Sequence, residues 1–133
     1  MSDPYIAIQL VMMPRDTNPH GTIFGGVILS YIDMAGAVAA RREVALRGGT
    51  PDAKIVTVAI NRVEFKQPVL VGDVVRFETS IVRFGRTSVT VHINVISERA
   101  GHLIPVTESE VVYVGVDEQR RPTPLLPNPV PNA

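Results

Sequence analysis

The sequence predicts an α+β domain in which one long helix packs against an antiparallel sheet of five to six strands. Its 133 residues are enough for a single domain with its own core. One apolar stretch is long enough for a central helix, other segments alternate between apolar and polar residues, and short turns connect them. We expect residues 1–120 to form one domain and residues 121–133 a separate tail.

The first half of the chain predicts a strand, a turn-rich loop and the helix. Residues 5–13 favour a short strand that Pro14 ends, and residues 15–22 are rich in turn formers. The helix is predicted over residues 25–46 because two glycines follow it and arginines lie in its last turns. This helix is apolar on nearly every side, which is typical of a helix that other structure surrounds.

The second half predicts four strands and a tail without regular structure. The strands are expected over residues 55–65, 73–83, 87–96 and 106–116. Phe84 and Gly85, between the second and third of these, fit a tight hairpin turn. Five prolines between positions 122 and 131 exclude regular structure there, so we expect the tail to be extended or partly disordered.

Composition excludes several classes of function. Thirteen basic and thirteen acidic residues give a formal net charge of +0, so no global field attracts nucleic acid or an anionic membrane. The chain has no cysteine and its histidines show no metal-ligand spacing, so we expect no disulfide and no metal site. The longest apolar stretch is interrupted by Asp33 and is shorter than the ~20 residues of a membrane span. These features favour a cytoplasmic protein.

Asp33 is the strongest candidate for chemistry, because it lies mid-helix among apolar side chains. Burying an unpaired carboxylate is costly, so this one must be paired, protonated or at a wetted cleft. Pairing with nearby backbone or an arginine is the structural alternative to a functional role. Gly25 and Gly26 begin the same helix and leave its first N–H groups uncovered for an oxygen that acquires negative charge. Alternatively, these glycines only permit close packing on the sheet.

Helix geometry relates Asp33 to Gly26. They are seven residues apart, which places them within roughly 20° of one another around the helix and ~10 Å apart along its axis. Both therefore face one groove, but within a single chain they are too far apart to act on one carbon. A two-fold dimer with its helices side by side would resolve this, since each site would use residues of both chains.

Polar residues outside the helix offer further contacts to a ligand. The Asn18 amide can donate to a carbonyl or orient a water, or instead form an Asx turn or helix cap. Arg83, Arg86, Thr87 and Ser88 cluster at the predicted hairpin. Their guanidinium and hydroxyl groups suit phosphate oxygens, and a solvated basic turn is the alternative.

The most specific pattern is an Asn-x-x-Gly-x-x-Phe-Gly-Gly run at residues 18–26, followed seven residues later by Asp33. Together with residues 68–73 and 85–89, this pattern resembles the hotdog-fold acyl-CoA thioesterases of the YciA type. The similarity covers the chain from about Ile8 to Pro127. It implies a sheet wrapped around a central helix and a homodimer that pairs two sheets edge to edge, often within a hexamer of three dimers.

The resemblance also implies an activity, the hydrolysis of acyl-CoA to a free acid and CoA, with active sites at the dimer interface. Asp33 would be the general base or the nucleophile, and Asn18 of the partner chain would bind the carbonyl or the water. The Gly25 and Gly26 amides would polarise the thioester. The Arg86-Thr87-Ser88 turn would lie near the CoA phosphates or pantetheine. No cofactor is implied, since CoA is part of the substrate.

Two other functions stay open at this point. A non-catalytic hotdog domain could bind acyl-CoA as a sensor or carrier. A hotdog hydratase could act on enoyl thioesters, although that chemistry usually needs a histidine paired with an acid. The position of His20 in a turn argues only weakly against it.

Overall fold

A five-stranded antiparallel sheet and one long helix make up the part of the chain that the computed structural model describes, residues 3–50 and 53–127. The strands are β1 (Tyr5–Val11), β2 (Ile55–Asn61), β3 (Val74–Phe84), β4 (Ser88–Arg99) and β5 (His102–Gly115), and the helix is α1 (Gly25–Leu46). A short 3-10 turn, Pro14–Asp16, follows β1. The sheet order is β1-β3-β4-β5-β2, so β1 and β2 are the edges. The predicted α+β class is confirmed.

The core lies between one face of the sheet and one side of α1. Alternate residues of β4 point into it and are fully buried: Val89, Val91, Ile93 and Val95. Small residues of α1, Ala35 and Gly36 among them, let the helix approach the sheet closely. Each buried valine or isoleucine contributes about 1.5–3 kcal/mol of transfer free energy, so this contact stabilises the domain.

The other side of α1 is open in the single chain, although its residues are apolar. Leu29, Met34 and Val38 remain 37%, 46% and 42% exposed. One sheet can cover only one side of a helix, so the chain does not by itself provide the surroundings that an all-apolar helix predicts. Within the described ranges, no helix has the length and apolar character needed to cross a membrane.

The strand ends differ from the predicted ones where the backbone turns sharply. β2 ends at Asn61 because Arg62 adopts a positive φ of 22°. β4 and β5 extend toward each other and meet at Ala100 and Gly101, whose φ values of 51° and 77° suit a two-residue hairpin turn. This hairpin was missed because Pro105, which lies at a bulge in β5, interrupts the alternating pattern.

The first residues of the proline-rich tail pack against the domain. Leu125 is 6% exposed, and its N–H donates to the Arg86 carbonyl at 2.9 Å. Residues 121–127 therefore run beside the end of β5, while residues 128–133 lie outside the described residues. The predicted character of that last segment stays a prediction.

An ion pair between the buried Asp73 and the partly exposed Arg99 fixes the loop between β2 and β3. The Asp73 carboxylate is 2% exposed and accepts hydrogen bonds from the Arg99 Nε and Nη2 at 2.9 and 2.7 Å. It also accepts from the Ser97 hydroxyl at 2.7 Å and the Leu70 N–H at 3.0 Å. Arg99 Nη2 additionally donates to the Pro68 carbonyl at 3.1 Å. The loop is thereby tied to β4.

These contacts set the protonation of Asp73. Burial by itself raises the pKa of this carboxyl, but the hydrogen bonds from Arg99, Leu70 and Ser97 and the charge of Arg99 outweigh it. Together they lower the pKa from 3.8 to about 2. A carboxyl with a lowered folded-state pKa stabilises the fold above its unfolded pKa and loses that contribution as pH falls through the folded value. The fold therefore loses this stabilisation as the pH falls from about 4 to about 2.

We expect Asp73→Asn to be destabilised by about 2 kcal/mol at pH 7 and to lose most of the pH dependence between pH 4 and 2. Urea unfolding at matched protein concentration, at pH 7 and near pH 2, measures both. The gap in unfolding free energy between wild type and variant should narrow at the lower pH. An equal gap at the two pH values would contradict this account.

Candidate active site

The start of α1 presents two free backbone donors. Among the described residues, the N–H groups of Gly25 and Gly26 have no hydrogen-bond partner, and the N-cap Phe24 supplies none from its side chain. The Phe24 N–H donates to the Asp16 carbonyl and the Ile23 N–H to the Val69 carbonyl, both at 2.9 Å. The preceding loop is therefore fixed, and the positive end of the helix is held open toward a ligand.

The two glycines differ in their surroundings. A Cβ at Gly25 would lie 3.2 Å from the Phe65 ring, so this glycine permits close packing. A Cβ at Gly26 would have no neighbour within 4 Å among the described residues. The packing alternative therefore describes Gly25, whereas Gly26 keeps a clear approach to the helix backbone.

An apolar cavity of about 340 Å³ lies beside Gly25. Its lining residues are Thr22, Ile23, Gly25, Ile28, Phe65, Lys66, Gln67, Pro68 and Val69. Ile28 and Val69 are buried at 1% and 3% exposure, while Phe65 is 47% exposed. A ligand with an apolar segment can therefore occupy this cavity beside the free N–H groups.

Asp33 is half-buried and is held by hydroxyl groups. The Thr57 hydroxyl, on β2, donates to Asp33 Oδ1 at 2.7 Å, and the Tyr113 hydroxyl, on β5, lies 3.3 Å from the same oxygen. Oδ2 has no hydrogen-bond partner within the described part of the chain. Neither an arginine nor a backbone N–H pairs with this carboxylate there. One oxygen is thus fixed and the other is available.

Tyr113 also contacts the backbone of Asp33. Its hydroxyl donates to the Asp33 main-chain carbonyl at 2.6 Å. Burial, the charge of the Asp33 carboxylate and the hydrogen bond to it raise the pKa of Tyr113 above its ordinary value of 10.0. The hydroxyl is therefore a protonated donor throughout the physiological range.

The sequence patterns did not single out Thr57, Tyr113 or Gly36 as site residues. A Cβ at Gly36 would lie 2.1 Å from the Tyr113 hydroxyl oxygen, so only glycine fits beneath this tyrosine. The one available signal was Gly36 itself, because a glycine inside a helix costs about 1 kcal/mol relative to alanine and marks a close contact.

Asn18 forms the Asx turn that was the alternative to a ligand contact. Its Oδ1 accepts from the His20 N–H at 2.9 Å and the Thr22 N–H at 3.2 Å. Its Nδ2 donates to the Thr22 hydroxyl at 2.7 Å. The amide has a second N–H, so the turn orients Asn18 without using all of its donors.

The basic turn lies at the opposite end of the domain. The Arg47 guanidinium, just past the end of α1, stacks 4.2 Å from the centroid of the Phe84 ring at the end of β3. Arg83 and Arg86 are exposed at this end, next to Thr87 and Ser88. Gly26 is 21 residues before Arg47, or roughly 30 Å along the helix axis. One chain therefore does not bring the basic turn to the start of α1.

Comparisons with known proteins agree on one family. The sequence profile of the Thioesterase superfamily matches residues 20–104. The chain is 37% identical to the acyl-CoA thioester hydrolase YciA of Escherichia coli over 125 residues, which are 90% of this chain and 89% of that protein.

Solved structures show the same similarity. A hexameric thioesterase from Yersinia pestis matches with a TM-score of 0.83 and 32% identity, over 97% of this chain and 100% of that one. A hexameric hotdog fold thioesterase of Campylobacter jejuni matches with a TM-score of 0.79 and 39% identity, over 90% of this chain and 88% of that one.

The different surroundings of the two glycines predict different effects of alanine. We expect Gly26→Ala to stabilise the protein by up to about 1 kcal/mol, because alanine favours the helix and its Cβ meets no described residue of the same chain within 4 Å. Gly25→Ala must displace the Phe65 ring and should gain less. Thermal unfolding should place the Gly26→Ala midpoint roughly 2–4 °C above that of Gly25→Ala. Equal midpoints, or a higher midpoint for Gly25→Ala, would contradict this difference in packing between the two glycines.

Proposed function

Because the chain belongs to the thioesterase superfamily, we propose that it is an acyl-CoA thioester hydrolase of the YciA type, which releases a free acid and CoA. The observation that carries this proposal is the Asp33 carboxylate, fixed on one oxygen and free on the other. It shares a helix face with the free N–H group of Gly26. The enzyme needs no resident cofactor under this proposal, and we place it in the cytoplasm.

The chemistry requires few groups, because a thioester carbonyl is electrophilic and its thiolate leaves readily. The N–H groups at the start of α1 polarise the carbonyl and stabilise the oxyanion that forms. Asp33 Oδ2 then accepts a proton from the attacking water, as a general base. In the alternative route, Oδ2 attacks the carbonyl carbon and the C–S bond breaks to expel the CoA thiolate, which leaves a mixed anhydride that water then hydrolyses.

A homodimer completes this site. Within residues 3–50 and 53–127, β2 pairs with β5 on one side only, and its Val56 and Val58 side chains are 44% and 55% exposed. Pairing two β2 edges antiparallel covers this strand and the exposed apolar side of α1. The Asp33 carboxylate of one chain then faces the partner's α1 N-terminus. The hexameric relatives support a trimer of such dimers as the full assembly.

The dimer also accounts for the distance between the basic turn and the start of α1. Antiparallel pairing of two β2 strands places the end of one domain beside the opposite end of its partner. The partner's turn, with Arg83, Arg86, Thr87 and Ser88, then lies at the same end of the dimer as this chain's Gly26. We propose that it binds the CoA phosphates, while the cavity beside Gly25 takes an apolar part of the substrate.

We expect Asp33→Asn to lower kcat by at least ~10²-fold with little change in KM, because the amide cannot accept a proton or attack a carbonyl. Release of CoA thiol in a chromogenic assay with a series of acyl-CoAs measures both constants. Asp117→Asn, which changes another half-buried aspartate outside the proposed site, is the matched control.

Three outcomes would contradict the proposal or the role that it gives Asp33. Near-normal turnover by Asp33→Asn would remove the assigned role of the carboxylate. Wild-type protein that binds acyl-CoA without releasing thiol would favour the non-catalytic binding domain instead, and hydration of crotonyl-CoA without thiol release would favour a hydratase.

The proposed dimer predicts that a charge on β2 separates the subunits. Val58→Lys should lower the molar mass measured by light scattering after size exclusion, since the lysine ammonium would be buried at the paired edge. Leu103→Lys is the matched control, because Leu103 is 56% exposed but lies at the start of β5, next to the turn from β4. An unchanged mass for Val58→Lys would exclude the β2 edge as the dimer contact.

A further inference from the structure

We propose that Tyr113 is a positioning residue for Asp33, which it holds by the main chain and the side chain at once. This inference rests on the proposed hydrolase function and assigns a role to a residue of β5 in it. The Tyr113 hydroxyl lies 2.6 Å from the Asp33 carbonyl oxygen and 3.3 Å from Oδ1. One hydroxyl therefore contacts both ends of the same residue.

The contact to the main chain is unusual for the middle of a helix. The carbonyl of Asp33 lies inside α1, where a helix carbonyl already accepts the N–H four residues later. The additional donor comes from a residue of the sheet, so this hydrogen bond fixes the distance between this turn of the helix and β5. A side chain that projects from this turn is thereby placed relative to the sheet.

Gly36 makes this contact possible. A Cβ at this position would lie 2.1 Å from the Tyr113 hydroxyl oxygen and 2.9 Å from the ring carbon that bears it. Glycine is unfavourable inside a helix relative to alanine, so a glycine at this position indicates that the close approach of Tyr113 requires it. Tyr113 itself is 1% exposed, so it is well packed and has little freedom to reorient.

Tyr113 and Thr57 hold Asp33 in different ways. The Thr57 hydroxyl contacts Oδ1 from the edge strand β2, whereas Tyr113 reaches the same oxygen and the backbone from the neighbouring strand β5. Loss of the tyrosine hydroxyl leaves the Thr57 contact but frees this turn of α1 to shift. Since reaction rates fall steeply when a reacting group moves by about 1 Å, such a shift should affect turnover more than binding.

The test compares Tyr113→Phe with the wild type in steady-state hydrolysis of an acyl-CoA such as butyryl-CoA. The variant removes one oxygen and keeps the ring. We expect kcat to fall about tenfold or more and KM to stay within about twofold, because the affected group is used in the chemical step. Tyr5→Phe makes the same chemical change on β1. The Tyr5 ring packs against Arg42, which follows Asp33 by nine residues on α1, so this variant should leave both constants unchanged.

Gly36→Ala provides a second, independent measurement. Its methyl group would displace the Tyr113 hydroxyl, so kcat should fall at least as far as in Tyr113→Phe. In the double variant the displaced hydroxyl is already gone, so its kcat should exceed the product of the two single effects. If Gly36→Ala does not fold, Tyr113→Phe decides alone, since it introduces no clash.

The outcomes separate this inference from the function on which it rests. An active wild type with unchanged kcat in Tyr113→Phe would overturn the positioning role and leave the hydrolase proposal intact. A fall in melting temperature without a fall in kcat would also overturn it, because the contact would then be structural only. A wild type that releases no CoA would overturn the proposed function and this inference with it.

Discussion

The arrangement of the domain depends on how a carboxylate can be kept in an apolar helix. Desolvating Asp33 without partners would cost several kcal/mol. Two hydroxyl groups from neighbouring strands offset this cost by hydrogen bonding to Oδ1. Because Asp33 is partly exposed, the carboxylate is also not fully desolvated. The carboxylate is therefore tied to the edge of the sheet. A binding site based on Asp33 has to lie at that edge, on the side where β2 has no neighbouring strand in the described part of the chain.

This placement explains why the single chain leaves so much apolar surface uncovered. The exposed valines of β2 and the exposed side of α1 lie next to Asp33, and they are the surface on which a second copy can pack. In the proposed dimer, this second copy also brings the N–H donors of its helix start to Asp33, because the donors of the same chain lie ~10 Å away along the helix. The uncovered apolar surface and the proposed chemistry thus both require a partner chain on this face of the domain.

Hydrogen-bonded loops hold the start of α1 in place at the other end of the proposed site. The ion pair between Asp73 and Arg99 ties the segment before β3 to β4, and that segment in turn binds the Ile23 N–H through Val69. The hydrogen bonds to Asp73 and the charge of Arg99 outweigh the cost of burial, so they stabilise the fold at a position that takes no part in the proposed chemistry. The free N–H groups of the helix start consequently follow a segment whose own backbone is hydrogen-bonded to the rest of the domain.

Local patterns in the sequence determined the helix from Gly25 to Leu46, the succession of strands along the chain, and the candidates Asp33 and Gly26. Periodicity, glycines and a charged residue among apolar ones can all be seen within a short window of sequence. The hairpin at Ala100 and Gly101 was missed where a proline masked the period. Only the tertiary structure decided which groups surround Asp33. Its partners Thr57 and Tyr113 are 24 and 80 residues away in the chain, and strand pairing, which no short window records, brings them together.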